Sequence, residues 1–395
     1  MNKLFLIDAY ALIFRSYYAL IRAPRINSKG LNTSAILGFV NTLHEIITKE
    51  QPTHLGVAFD LGKTFRHEAY PPYKAQREET PEAIRQSVPI IKEILHAFHI
   101  PILQKEGFEA DDVIGTLATR AGQEGVETYM LTPDKDYGQL VKDNVFMYKP
   151  RHGGGYDIIG PQQIQEKYGV ERPEQVIDLL ALMGDAVDNF PGCPGVGEKT
   201  AVKLINEFGS VEGLLSNTTQ LKGKMRLNVE AATEDIKMSK FLATIKTDVP
   251  IELQLDVLEI QKPDEAKLRE IFAELEFKTL ANKILNGSAE KAKNSTLQPD
   301  LFSSIPNNPS ESSEKSHFES IKSIKHNYKL IDNQEEAKKL CDFLRTKSFV
   351  SLDTETTSTH AIDAELVGLS FSNVEHEAYY VAIPSDRKEA LQYVN

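Results

Sequence analysis

Cysteine is almost missing from this 395-residue chain: Cys193 and Cys341 stand alone and far apart. They can build neither a disulfide framework nor a Cys-x-x-Cys metal site, which fits a reducing cytoplasm. No run is long and apolar enough to span a bilayer. The apolar start, MNKLFLIDAYALIF, is interrupted by Asp8 and reads as a buried strand rather than a signal peptide. A basic surplus is lacking too. Lys and Arg number 45 against 57 Asp and Glu, a formal net charge of −12. Phosphate binders are usually basic, so this balance argues against nucleic acid. The argument fails locally if the acids gather at one place and hold metal. What is present is 41 % hydrophobic residues, enough for real cores, at a length that suggests two or three domains.

Three apolar runs share one layout. KLFLIDAY (3–10), THLGVAFD (53–60) and VETYMLTPDKD (126–136) each read as a short strand that ends in acid. Helix-periodic stretches lie between them, such as 33–50 and 81–100. Strands alternating with helices predict an α/β fold with a mostly parallel central sheet. In such sheets the ligand crevice lies at the carboxyl ends of the strands, so acids at three strand ends converge. From about residue 161 short helices with glycine breaks replace this pattern. Residues 287–326 lose apolar periodicity and are rich in Ser, Asn, Pro and charge, which predicts a disordered linker. A new strand and helix pattern begins near NYKLID and stops about 70 residues later, too early for a complete α/β domain; the chain reads as cut from a longer protein.

The acids are nine. GFEADDV puts Glu109, Asp111 and Asp112 at a helix start, where the macrodipole alone favours acids. Asp134 and Asp136 follow a strand directly and, two apart, point the same way. Asp185 and Asp188 follow an apolar helix, and Asp8 and Asp60 end strands, where Asp often caps the next helix. Each has an ordinary reading by itself; the joint pattern points to metal. Oxygen ligands without His or Cys favour Mg²⁺ or Mn²⁺ over zinc, and this many suit two or more ions. A two-metal site performs in-line displacement at phosphorus. GFEADDV is expected to bridge the ions, with Glu109 and Asp111 facing Asp8 and Asp60, and Asp112 facing the other pairs. Asp112→Asn or Asp134→Asn is expected to abolish cleavage while leaving binding largely intact.

GCPGVGEKTA (192–201) fails the P-loop pattern, because Glu198 intervenes between Gly197 and Lys199. Its turn still presents free backbone N–H groups at a helix start, as a helix–hairpin–helix would, or serves simply as an interhelix turn. LGKTFRHEAYPPYKAQREETP (61–81) interleaves Lys63, Arg66, His67, Lys74 and Arg77 with Phe65, Tyr70 and Tyr73. That mixture suits single-stranded nucleic acid, or else a solvated loop.

FDLGKTFRHEAYPPYKAQR, GFEADDVIGTLA, LTPDKDYGQL and GDAVDNFPGCPGVGEKTA together resemble the 5′-nuclease domain of the bacterial DNA polymerase I family, a relative of flap endonucleases, over about residues 1–287. SLDTETT followed by LVGLSFS resembles the first motif of the proofreading 3′–5′ exonuclease domain that the family carries next. The resemblance implies a PIN-like catalytic domain at 1–160 with a helical arch at about 63–95. It implies a helix–hairpin–helix subdomain at 161–286, and the start of an RNase H-like exonuclease domain at 327–395. Asp8, Asp60, Glu109 and Asp111 are implied as ligands of one ion. Asp112, Asp134, Asp136, Asp185 and Asp188 would bind the other or hold its ligands. Arg66, Lys74 and Arg77 match positions that contact the scissile phosphate or the threaded strand. Tyr18, and Tyr73 in the basic segment, are implied DNA-binding aromatics. Gly192, Gly195, Gly197, Lys199 and Thr200 belong to the duplex-binding hairpin, which in relatives also binds K⁺. Asp353 and Glu355 match two proofreading carboxylates whose partners lie past residue 395, so no 3′–5′ activity is expected. The implied enzyme is a monomer of the cytoplasm and nucleoid. It would act on DNA with 5′ flaps or nicks and on RNA–DNA primer junctions, in primer removal and DNA repair. A stand-alone exonuclease or RNase of the same fold is the enzymatic alternative. A DNA-structure-binding module would need a carboxylate missing, and a calcium protein would need a DxDxDG loop; neither condition holds.

Overall fold

A computed structural model of the chain describes residues 2–151, 154–285, 326–357, 365–374, 376–384, 386 and 390. It falls into two units, 1–306 and 307–395. Except for His326, the expected linker lies outside the described residues. No helix among them is long and apolar enough to cross a membrane.

The first unit is built on strand β1 (Lys3–Asp8). It lies between β2 (His54–Ala58) and β4 (Glu127–Leu131), with β3 (Ile102–Leu103) beyond β2. On the other side follow β5 (Val145–Pro150) and β6 (Tyr156–Ile159). The sheet is parallel from β3 to β5; only β6 runs antiparallel, because a short turn rather than a crossover helix joins it to β5. Side chains of β1 alternate between two cores. Phe5 and Ile7 pack with the helices Ala9–Ala19, Ser34–Glu45 and Glu82–Ala97. Leu4 and Leu6 pack with Val113, Ile114 and Leu117 of the helix Ala110–Gln123. With helices on both faces, the site can open only at a sheet end.

The expected boundary at residue 160 does not separate these cores. Leu242, Ala243, Ile245 and Leu258 return to the second core, and Leu268, Ile271, Phe272, Leu280 and Leu285 close the first. Between the two stretches of α/β body, Val170, Leu179, Leu182, Leu204, Ile205, Leu214, Val229 and Ile236 form a third core of short helices. The expected arch over 63–95 is likewise cut back. Its second half belongs to the helix Glu82–Ala97, whose Ile84, Ile91, Ile94 and Leu95 are fully buried in the first core. The earlier part is a short helix, Phe65–Ala69, followed by turns.

In the third core the helices Val176–Met183 and Glu198–Phe208 are joined by the glycine hairpin. Gly184 and Gly192 both take the left-handed backbone (φ 71° and 64°), and their chains touch, so a Cβ on Gly192 would overlap the backbone of Met183 and Gly184. Gly192→Ala combines a φ penalty with overpacking against backbone. Its expected cost is about 2–4 kcal/mol, read as a fall in Tm; an unchanged Tm would show that the hairpin tolerates a side chain.

The second unit is a four-stranded sheet in the order β7 (Asn327–Ile331), β10 (Glu377–Ala382), β9 (Leu366–Val374), β8 (Ser351–Thr356), with the helix Gln334–Arg345 against it. Its core is small: Ile331, Leu340, Leu344, Val381 and Ile383. Asp353 and Glu355 lie exposed on the edge strand β8, two apart and so on one face.

Candidate active site

The carboxyl ends of β1, β2 and β4 open onto a cavity of about 200 Å³. Asp8, Asp60, Glu109, Asp111, Asp134, Asp136 and Asp188 line it, together with Arg66, Tyr73, Lys74 and Arg77. The strand-end logic explains the convergence: parallel strands aim every terminal acid at the same end of the sheet. Local bonds then fix each side chain. Asp8 ends β1, caps the helix Ala9–Ala19 by accepting from the Ala11 N–H (3.0 Å), and also accepts from the Thr132 hydroxyl (3.3 Å). Asp60 accepts from the Ala110 N–H (2.8 Å), which ties the end of β2 to the start of the acidic helix. Asp111 accepts from the Tyr137 hydroxyl at 2.7 Å. Asp134 accepts from the Asp136 N–H at 2.9 Å, an Asx-type turn that holds both acids on one side.

Burial governs the electrostatics. It pushes Asp8 up to about 7, helped by the charges of Asp60 and Asp134 and opposed by its hydrogen bonds. Burial, with the Asp134 charge behind it, pushes Asp136 up to about 8. Asp60, Asp111 and Asp134 are raised by the same cause. Asp136 Oδ1 is buried with no hydrogen-bond partner. Three cations of the segment after β2 offset some of this charge. Lys74 Nζ lies 2.8 Å from Glu109 and 3.8 Å from Asp188, and Arg77 binds Asp188 at 2.5 Å. Arg66 Nη1 reaches Glu109 at 3.3 Å. Lys74 takes a left-handed backbone (φ 56°), and its N–H donates to the Asp188 carbonyl at 3.0 Å. Among the described residues, no three of the acids are arranged as a finished cage for a metal ion.

Two of the nine acids lie apart from this wall. Asp112 does not face the Asp134/Asp136 and Asp185/Asp188 pairs. It is fully buried on the far side of the helix turn, where both its oxygens accept from Arg66 at 2.7 Å. They accept as well from the N–H groups of Glu109 (3.0 Å) and Lys246 (2.8 Å). Those four bonds, rather than the cavity, set its direction. Asp185 caps its own turn through the Val187 and Asp188 N–H groups, and Lys135 at 3.0 Å holds its carboxyl below the ordinary range against the pull of burial.

The aromatic and hairpin residues divide similarly. Tyr73 is buried, not available for stacking: its hydroxyl donates toward Glu109 (3.2 Å) and Asp188 (3.3 Å). Tyr18 is exposed, its ring stacked on Phe14 of the cavity wall at 6.2 Å. Gly192, Gly195, Gly197, Lys199 and Thr200 do not line the cavity; Gly197 precedes the helix Glu198–Phe208, and Thr200 bonds back to its carbonyl at 3.0 Å. Thr132 and Tyr137 were not singled out from sequence. Both lie within LTPDKDYGQL, and hydroxyls flanking an acid pair were the signal available.

The chain matches three family models: "5'-3' exonuclease, N-terminal resolvase-like domain" at residues 3–169, "5'-3' exonuclease, C-terminal SAM fold" at 171–266, and "3'-5' exonuclease" at 328–395. A 5′–3′ exonuclease of Aquifex aeolicus is 40 % identical over 285 residues, covering 72 % of this chain and 96 % of the relative. A DNA polymerase I of Bacillus caldotenax is 43 % identical over 296 residues, 74 % of this chain and 33 % of the relative. The chain thus spans about a third of the length of that relative. A solved T5 5′-exonuclease with divalent metal ions (zinc) bound shares the fold, with 24 % identity, a TM-score of 0.53, and coverage of 69 % of this chain and 100 % of that one.

Proposed function

The chain belongs to the 5′–3′ exonuclease family, and from that premise we propose that its first unit is a divalent-metal-dependent 5′ nuclease cutting DNA at 5′ flaps and nicks. The observation that carries the reading is the acid wall itself. Gathering so many carboxylates around one cavity is costly without a cation, and Asp136 Oδ1 is left without a donor. The donor set is all oxygen, so it fits Mg²⁺ or Mn²⁺, and its size fits two ions. Asp8, Asp60, Glu109 and Asp111 would hold one, and Asp134, Asp136 and Asp188 the other. Bound there, the ions would supply an activated water and charge stabilisation at phosphorus.

The protein's own groups do the rest. Thr132 and Tyr137 hold Asp8 and Asp111 in place by hydrogen bonds. Lys74 and Arg77 sit at the cavity on a non-helical turn, placed to receive a phosphate once they leave Glu109 and Asp188. Tyr18 offers an exposed ring for a base beside the cut. The glycine hairpin presents backbone N–H groups to the duplex and is a candidate K⁺ site. The wider setting is primer removal and repair by a monomeric nuclease unit in the bacterial cytoplasm, as part of a longer polymerase.

Cleavage of a labelled 5′-flap duplex tests this. Full activity in Mg²⁺ or Mn²⁺ and none in EDTA is expected; turnover that persists in EDTA would sink the proposal.

A further inference from the structure

Lys149 sits near the end of β5, one row beyond the Leu131–Tyr148 pair and so beside the turn that carries Asp134 and Asp136. Its side chain is half-buried and, among the described residues, has no hydrogen-bond or ion-pair partner. The acid across the strand, Asp157, is held by Arg151 at 2.8 Å. Lys149 is close enough to Lys167 to be repelled by it, and to Asp134 and Asp157 to be attracted, though the repulsion outweighs either attraction. Lys167, in the last turn of the helix Pro161–Tyr168, is exposed, with its ammonium 4.7 Å from the Tyr168 ring centre and, among the described residues, no acid paired to it. Burial and that like charge both lower the Lys149 pKa, a penalty an anion would relieve.

The position of the pair matters. Tyr168, next to Lys167, lies within the field of Asp134 and Asp136 and also of Glu198, the first residue of the helix after the hairpin. The Gly169 carbonyl accepts from Asn206 of that helix at 2.8 Å. Lys149 thus lies beside the turn that carries the acid pair, and Lys167 on the helix whose C-cap Gly169 is tied to the helix after the hairpin. Lys135, also nearby, is already neutralised by Asp185. We propose that Lys149 and Lys167 form a phosphate-binding subsite that grips the nucleic-acid backbone between hairpin and cut. The subsite rests on the nuclease reading given above.

The test uses the whole chain, a fluorescein-labelled 5′-flap duplex and Ca²⁺ in place of Mg²⁺, with affinity measured by anisotropy across a KCl series. Each duplex phosphate neutralised contributes roughly 0.9 to the slope of log affinity against log salt. Lys149→Gln with Lys167→Gln is expected to flatten the slope by about 1–2 and weaken binding about tenfold at low salt. The single-turnover rate in Mg²⁺ at saturating enzyme stays unchanged. The paired arginine variants, Lys149→Arg with Lys167→Arg, keep the slope. An unchanged slope in the glutamine variant overturns the subsite while leaving wild-type cleavage, and the nuclease reading, intact. A flattened slope with no wild-type cleavage supports the subsite and sinks the nuclease reading.

Discussion

Asp112→Asn is expected to lower the stability of the first unit by about 3–5 kcal/mol, because it breaks a buried ion pair on one side only. The wild-type carboxylate is fully buried, and Arg66 is 2 % exposed. Arg66 gives two donors to Asp112, one to Glu109 (3.3 Å), and one each to the carbonyls of Leu242 (2.9 Å) and Thr244 (2.7 Å). Burial works against the guanidinium charge, and the bonds and charge of Asp112 overcome it, so Arg66 stays protonated. An amide at 112 keeps one acceptor, turns an NH₂ toward donors and leaves the cation facing only Glu109 at 3.3 Å. Thermal unfolding should show Tm lower by roughly 10 °C. Arg66→Met should cost a similar amount, and the double variant should lose clearly less than the sum. A Tm within about 2 °C of wild type would refute the structural role and restore Asp112 as a candidate ligand. Cleavage by Asp112→Asn should fall with the folded fraction and not with metal affinity.

The opposite outcome is expected in the cavity. Asp136→Asn should stabilise the metal-free protein at pH 8 while reducing cleavage by about a hundredfold or more, since even residues that only support a metal ligand commonly cost ten- to a hundredfold. The sign follows from the raised values. Burial first, then the Asp134 charge, puts Asp136 at about 8, and burial, Asp60 and Asp134 put Asp8 at about 7. An unfolded Asp titrates near 4. Between about 4 and 8 the folded state binds more protons than the unfolded one, so stability falls as pH rises through that window. Metal-free Tm should therefore drop from pH 5 to pH 8, and added Mg²⁺ should restore it more at pH 8 than at pH 5. In Asp136→Asn both the drop and the restoration shrink. A variant less stable than wild type at pH 8 without metal, or one with unchanged Mn²⁺ affinity, would contradict the assignment.

The sheet and most of the acid wall were legible in sequence, because both depend on short-range patterns. An acid at the end of a strand or within three residues of it, and a parallel sheet inferred from alternation, suffice to bring Asp8, Asp60 and Asp134 together. Asp112 was not legible. Its direction is set by Arg66, 46 residues earlier, and by the carbonyls of Leu242 and Thr244, which no local spacing reveals. Tyr73 misled for the same reason: an aromatic among basic residues fits a stacking surface, yet tertiary packing sends its hydroxyl to Glu109 and Asp188. The arch was over-extended because helical periodicity at 82–97 says nothing about which surface the apolar stripe covers.

The late return of residues 242–285 to both faces of the sheet has a consequence during synthesis. β1 has its second-core flank open until Leu258 emerges and its first-core flank open until the helix Lys278–Leu285 does. A nascent chain halted after β6 would carry the complete sheet and most of its acids but an open hydrophobic seam on each side. The nuclease body thus completes its native packing only once the chain has been made through Leu285.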